Sequence, residues 1–192
     1  MPMIQVVYAS RHGSTAGIAD RIADTLRARG IEAVVADAAG RPDPAGFDGY
    51  VVGSAVYTGS WLREGIEFLE ANAHILETRP VWLFSSGPLR ASAANESREP
   101  EVEVALGPEH GPGSGGRQKV EALGEAVHAR EHRVFGGAYD PDEAPRTVSE
   151  RLIRLMPGSK GILPEGDFRE WDRIEAWAGE IADDLKVPVA VR

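Results

Sequence analysis

No cysteine occurs among the 192 residues. Disulfides, thiolate nucleophiles and thiolate metal centres are therefore excluded. No stretch reaches the roughly 20 consecutive apolar residues of a membrane span. No secretory leader is expected, since the short apolar run at Met1 to Ser10 leads straight into Arg11. There is no excess of positive charge: the net charge is −9. A nucleic-acid partner needs a basic face, so none is expected. These absences together predict a soluble cytoplasmic protein with at most peripheral contact at the inner face of a membrane.

There is no internal repeat and no division into halves. Residues 90–117 are rich in Pro, Gly, Ser and Glu and show no period, so they read as a long loop. The pieces on either side are too small to fold alone, and one domain over 1–192 is expected. Apolar runs over Met3–Ala9, Ile31–Ala36, Tyr50–Ser54, Pro80–Ser85 and Val134–Ala138 read as buried strands. Between them the period changes to that of a helix. Ile18, Ile22 and Leu26 mark one over 14–29, and Ile66, Leu69, Ala73 and Leu76 a second over 61–76. A third covers 118–129, and Trp171, Ile174, Trp177 or Ala178, Ile181 and Leu185 form the inward stripe of the last. Alternating strands and helices predict an α/β fold: a doubly wound, five-stranded parallel sheet of order 2-1-3-4-5 with helices on both faces.

In such a sheet ligands sit beyond the carboxyl ends of the strands, where the strand order reverses. The first turn at that edge is Ser10-Arg11-His12-Gly13-Ser14-Thr15, between a strand and a helix. It has neither the lysine of a P-loop nor G-x-G-x-x-G. Free amides at the helix start, the positive end of the helix dipole and the hydroxyls of Ser10, Ser14 and Thr15 converge there on a phosphate. Gly13 permits close backbone approach. Ser14 alternatively serves as a simple N-cap, and Arg11 either offsets phosphate charge or is a solvated side chain.

The segment VVYASRHGST, residues 6–15, resembles the phosphate-binding loop of flavodoxins, with His12 where many of them have threonine. VVGSAVYTGSW, residues 51–61, is similar to one branch, the menaquinone-dependent protoporphyrinogen oxidases. FSSGPL at 84–89, GGAYDP at 136–141, RLIRLMPGSKG at 151–161 and the acidic, tryptophan-containing last helix match that branch in position. The resemblance spans nearly the whole chain; the segments 90–117 and 139–165 diverge.

What the resemblance implies is a flavodoxin-like fold with FMN as cofactor. Ser10, Arg11, His12, Gly13, Ser14 and Thr15 would surround the phosphate. Ala55, Val56, Tyr57, Thr58 and Gly59 would border one face of the isoalloxazine, and Ser86, Gly87, Pro88 and Leu89 the other. Gly53 and Gly59 bracket a turn whose amides reach the flavin edge. Tyr57 is the better stacking residue, while Trp61 stacks or anchors the start of a helix. No side chain is expected to act as a catalytic acid or base, because the flavin carries the chemistry.

Electron-carrier flavodoxins usually place an aromatic ring in the loop after the fourth strand. Ser85-Ser86-Gly87-Pro88-Leu89 has none. An uncovered flavin face favours an oxidoreductase that passes hydride or electrons between a diffusing substrate, such as protoporphyrinogen, and a quinone. The alternative is an electron carrier docking its acidic surface on a redox partner protein. A third reading, motivated by His12, is a binding module that has lost FMN. A homodimer is compatible with the fold. Arg146, Arg151 and Arg154 beside Val148, Leu152, Leu155 and Met156 form either a lid helix or a surface helix. His74, His110, His128 and His132 lack ligand spacing and read as solvated or capping residues; no metal site is expected.

Overall fold

The computed structural model describes residues 1–57, 59–87, 114–139 and 166–186. The first strand, β1 (Met3–Ala9), leads into α1 (Ser14–Ala28) and β2 (Glu32–Asp37). After a short turn come β3 (Gly49–Tyr57), the two-residue β4 (Ser60–Trp61), α2 (Arg63–Leu76) and β5 (Val81–Gly87). Further along lie α3 (Ser114–Ala126), β6 (Glu131–Gly136), β7 (Ala138–Tyr139), β8 (Gly166–Asp167) and α4 (Trp171–Lys186).

The main sheet runs β2-β1-β3-β5-β6, every pair parallel, with β4 turned back antiparallel on β3. Counted over the principal strands this is the expected 2-1-3-4-5. The order reverses between β1 and β3, so a crevice opens at their carboxyl ends. Successive strand residues face opposite sides. Ile4, Val6, Val51, Trp82, Phe84 and Phe135 point toward α1 and α4. Val7, Tyr50, Val52, Val81 and Leu83 point toward α2 and α3. Trp177 of α4 is 1% exposed and meets Phe135 and Phe84 with ring centroids 5.5 and 6.3 Å away.

Several boundaries move for physical reasons. The third strand continues to Tyr57 because Val56 and Tyr57 pair antiparallel with Trp61 and Ser60. Trp61 therefore lies in β4 and not at a helix start. The third helix begins at Ser114, four residues before the periodic segment, and stops at Ala126. The fifth strand starts at Glu131, ahead of its apolar part, because it is an edge strand in the described sheet. Its polar residues have partners on α4: Trp177 Nε1 donates to Glu131 at 2.7 Å and Arg133 to Glu180 at 3.0 Å. Gly53 is not at a turn; it lies inside β3 beneath the Phe84 ring.

β7 and β8 pair as Ala138 with Asp167 and Tyr139 with Gly166. Asp167 accepts hydrogen bonds from Arg169, whose guanidinium lies 4.5 Å over the Trp171 ring. The side-chain hydrogen bond from Arg169 is the main cause holding the Asp167 carboxyl below its ordinary value, against an opposing effect of burial. A depressed folded-state pKa stabilises above the unfolded value of about 3.9 and is lost as pH falls through the folded one. Thermal melts should therefore show Arg169→Met less stable than wild type at pH 7, with the gap narrowing below about pH 4. A gap constant with pH would refute the pairing.

Candidate functional site

The crevice is built from the ends of β1, β3 and β5. Gly13, at the N-cap of α1, has φ +78°, in the left-handed region open to glycine at no steric cost. No side chain caps the helix. Its first backbone bond runs from Gly17 N to Gly13 O at 2.9 Å, so the amides of Ser14, Thr15 and Ala16 have no acceptor within the helix. Ser10 Oγ closes the turn by accepting from Gly13 N at 3.1 Å.

Ser14 is therefore the first helical residue and not the cap. Its hydroxyl accepts from Ala138 N at 2.7 Å, and a hydroxyl has one proton besides. Thr15 is fully buried, with its hydroxyl 3.1 Å from that of Ser86. It fastens the first turn to β5. The Arg11 guanidinium lies 5.2 Å from the centroid of the Tyr57 ring, so it joins the first turn to the hairpin after β3. His12 is half-buried beside it.

The hairpin turns at Gly59, φ +81°. Ala55 and Val56 are buried below it and Tyr57 is half-buried at the edge. Gly116 of α3 packs so closely that an added Cβ would stand 2.4 Å from Gly59 O. At the end of β5, Gly87 O accepts from Gly137 N at 3.0 Å. Thr58, Pro88 and Leu89 lie outside the described residues, as does the segment 146–156. The structure thus brings Ser10 to Thr15, Ala55 to Tyr57 with Gly59, and Ser86 with Gly87 to one edge of the sheet.

Sequence reasoning missed three contributors. Gly116 sets the height of the hairpin, Ala138 engages Ser14, and His132 reaches a buried serine, Ser85, with Nε2 at 2.9 Å from Oγ. None carries a local signal, because each partner lies on another element. Among the described residues no three His, Asp or Glu side chains gather as a metal site, and no helix is long and apolar enough to cross a membrane.

An open parallel sheet with helices on both faces, and an uncapped helix start where its strand order reverses, defines the class of doubly wound α/β proteins. Within that class the chain belongs to the flavodoxin-domain family, whose model matches residues 5–147. Its fold is similar to that of the rubredoxin oxygen:oxidoreductase of the anaerobe Desulfovibrio gigas, at a TM-score of 0.59 and 12% identity over 98% of this chain. This chain spans 37% of the length of that protein. A short-chain flavodoxin associated with a non-canonical PDU bacterial microcompartment gives 0.57 at 15% identity, covering 97% of this chain and 100% of its own. The FMN-bound flavodoxin of Fusobacterium nucleatum gives 0.50 at 18% identity, covering 96% and 99%. No curated protein sequence matches the chain.

Proposed function

We propose that this chain binds FMN at the carboxyl edge of its sheet and works as an electron-transferring oxidoreductase. The observation that carries this reading is the uncapped start of α1 at Gly13, with the Tyr57–Gly59 hairpin and Gly87 at the same edge. A phosphate monoester needs several short-range donors and no particular cation, and this turn offers amides and a hydroxyl. Ser10, Arg11, His12, Gly13, Ser14 and Thr15 build the phosphate end. Thr15 acts from behind, through Ser86. Ala55, Val56, Tyr57, Thr58 and Gly59 border one side of the ring system, and Ser86, Gly87, Pro88 and Leu89 the other. When bound, the flavin supplies one- and two-electron transfer.

The side chains bind and orient. Tyr57 is the stacking residue, because Trp61 is 3% exposed and its indole N–H is turned inward to Ser85 at 2.7 Å. No aromatic follows Phe84 in the described part of the β5 end, Ser85-Ser86-Gly87. That supports exchange with a diffusing acceptor or donor that stacks on the ring. A quinone as acceptor and a porphyrinogen as donor are the substrates that the resemblance to protoporphyrinogen oxidases suggests. The second reading, a carrier docking on a redox protein, is favoured by the net charge of −9.

Titration with FMN, followed by visible absorbance and flavin fluorescence, tests the cofactor. A stoichiometric yellow complex is expected, and its absence would overturn the assignment. Rapid oxidation of the reduced complex by a soluble menaquinone analogue then supports the enzyme. Slow reaction with quinone but fast transfer to a basic redox protein supports the carrier.

A further inference from the structure

Adjacent serines at the end of β5 point to opposite faces of the sheet, and each holds one of the loops described above. Ser86 meets Thr15 at 3.1 Å on the α1 face. On the other face Ser85, fully buried, accepts the Trp61 indole N–H at 2.7 Å. The Ser85 Oγ also lies 2.9 Å from His132 Nε2 on β6. The Trp61 and His132 rings meet edge to face with centroids 5.9 Å apart. Trp61, Ser85 and His132 thus form a chain across β4, β5 and β6.

The hairpin needs such an anchor. Its ladder pairs Val56 with Trp61 and Tyr57 with Ser60, with Leu62 N donating to Ala55 O at 3.3 Å beside them, and a short two-stranded ribbon is marginal by itself. Ser54 Oγ accepts from Leu62 N at 2.9 Å, which fixes its return leg at one point. Trp61 ties the return leg to β5 through Ser85. An indole N–H is donor only, whereas a serine hydroxyl has one proton and two acceptor sites. An imidazole nitrogen beside Ser85 takes that proton, or donates to a lone pair, and so fixes which way the hydroxyl turns. With its hydroxyl turned, Ser85 presents a lone pair to Trp61.

We infer that Ser85 and His132 are positioning residues for the isoalloxazine. They hold Trp61, and through it the hairpin from Val56 to Trp61, and so set the environment of the ring more than the grip on the phosphate. This rests on the FMN reading above. It assigns a role to a histidine that sequence spacing alone leaves as a solvated or capping residue.

The test compares His132→Leu, His132→Gln and Trp61→Phe with wild type. Flavin affinity, midpoint potential and visible circular dichroism of the bound flavin are measured in each. Expected is a changed potential and flavin dichroism in His132→Leu, with FMN affinity within about tenfold of wild type, since the first turn is untouched. His132→Gln keeps a polar group near Nε2 and should restore most of the wild-type signal. Trp61→Phe keeps a ring but removes the N–H, and should shift the potential in the same direction as His132→Leu. It also stands in if His132→Leu does not fold. Wild-type potential and dichroism in the leucine or phenylalanine variant would overturn the inference. If wild type takes no FMN, the function proposal fails first. The anchor is then read without flavin: the near-ultraviolet signal lost in Trp61→Phe should also change in His132→Leu, and its persistence would overturn the inference.

Discussion

Gly53→Ala is expected to lower the thermal midpoint by roughly 6–12 °C, and Gly53→Val to prevent folding. A Cβ at this position would lie 2.1 Å from two carbons of the Phe84 ring. The backbone here is ordinary strand without positive φ, so strain in the chain is not the cause. The cause is that the ring has nowhere to go. Phe84 is fully buried, with Phe135 and Trp177 both 6.3 Å from its centroid. Packing one more carbon into such a core costs about 1–3 kcal/mol, and the upper end applies where the neighbour is trapped. About 3 kcal/mol corresponds to the stated shift for a domain of this size. Phe84→Leu removes the obstructing ring edge, so the double variant Gly53→Ala, Phe84→Leu should be more stable than the sum of its single changes. Thermal melts of the four proteins decide this. A Gly53→Ala midpoint within 1 °C of wild type, or strict additivity, would refute the packing account.

That glycine shows where sequence reading stops. The apolar runs and helical stripes are legible because a strand buried on both faces, and a helix covering it, write their environment into consecutive residues. The strand order follows from short right-handed connections. The first turn is legible as a strand-to-helix turn because the end of an apolar run, a glycine and the first helical residue follow in immediate succession. Gly53 invites a functional reading because the ring that requires it belongs to β5, its neighbour in the sheet, where the two residues stand opposite each other. The same holds for α3. Its first turn contains Gly115 and Gly116, poor helix formers, yet Gly116 is there so that the helix can rest against Gly59. β4 is too short to show a period. Ser14 looks like a cap until Ala138, brought in by β7, claims its oxygen. Each of these features depends on register between distant elements, and register has no signature in a single strand.

Ser14→Asp should separate stability from cofactor binding with opposite signs. Ser14 is the first residue of α1, where a carboxylate is favoured by the helix dipole by about 0.3–1 kcal/mol. An aspartate oxygen can still accept from Ala138 N, as the serine hydroxyl does. Without FMN the variant is therefore expected to melt at or above the wild-type temperature. With FMN seated as proposed, the same charge faces a phosphate that carries close to two negative charges at neutral pH. At about 4 Å and an effective dielectric near 20, one such pair costs about 4 kcal/mol, or roughly a thousandfold in affinity. Riboflavin, which has no phosphate, should bind both proteins alike. Ser14→Asn, similar in shape and uncharged, should stay near wild type for FMN. Raising the salt should recover part of the lost affinity, because the repulsion is screened. Titrations of the three proteins with FMN and riboflavin give the comparison. An FMN affinity for Ser14→Asp within tenfold of wild type would place the phosphate elsewhere. A loss of riboflavin affinity equal to that of FMN would mean the substitution had disturbed the ring pocket instead.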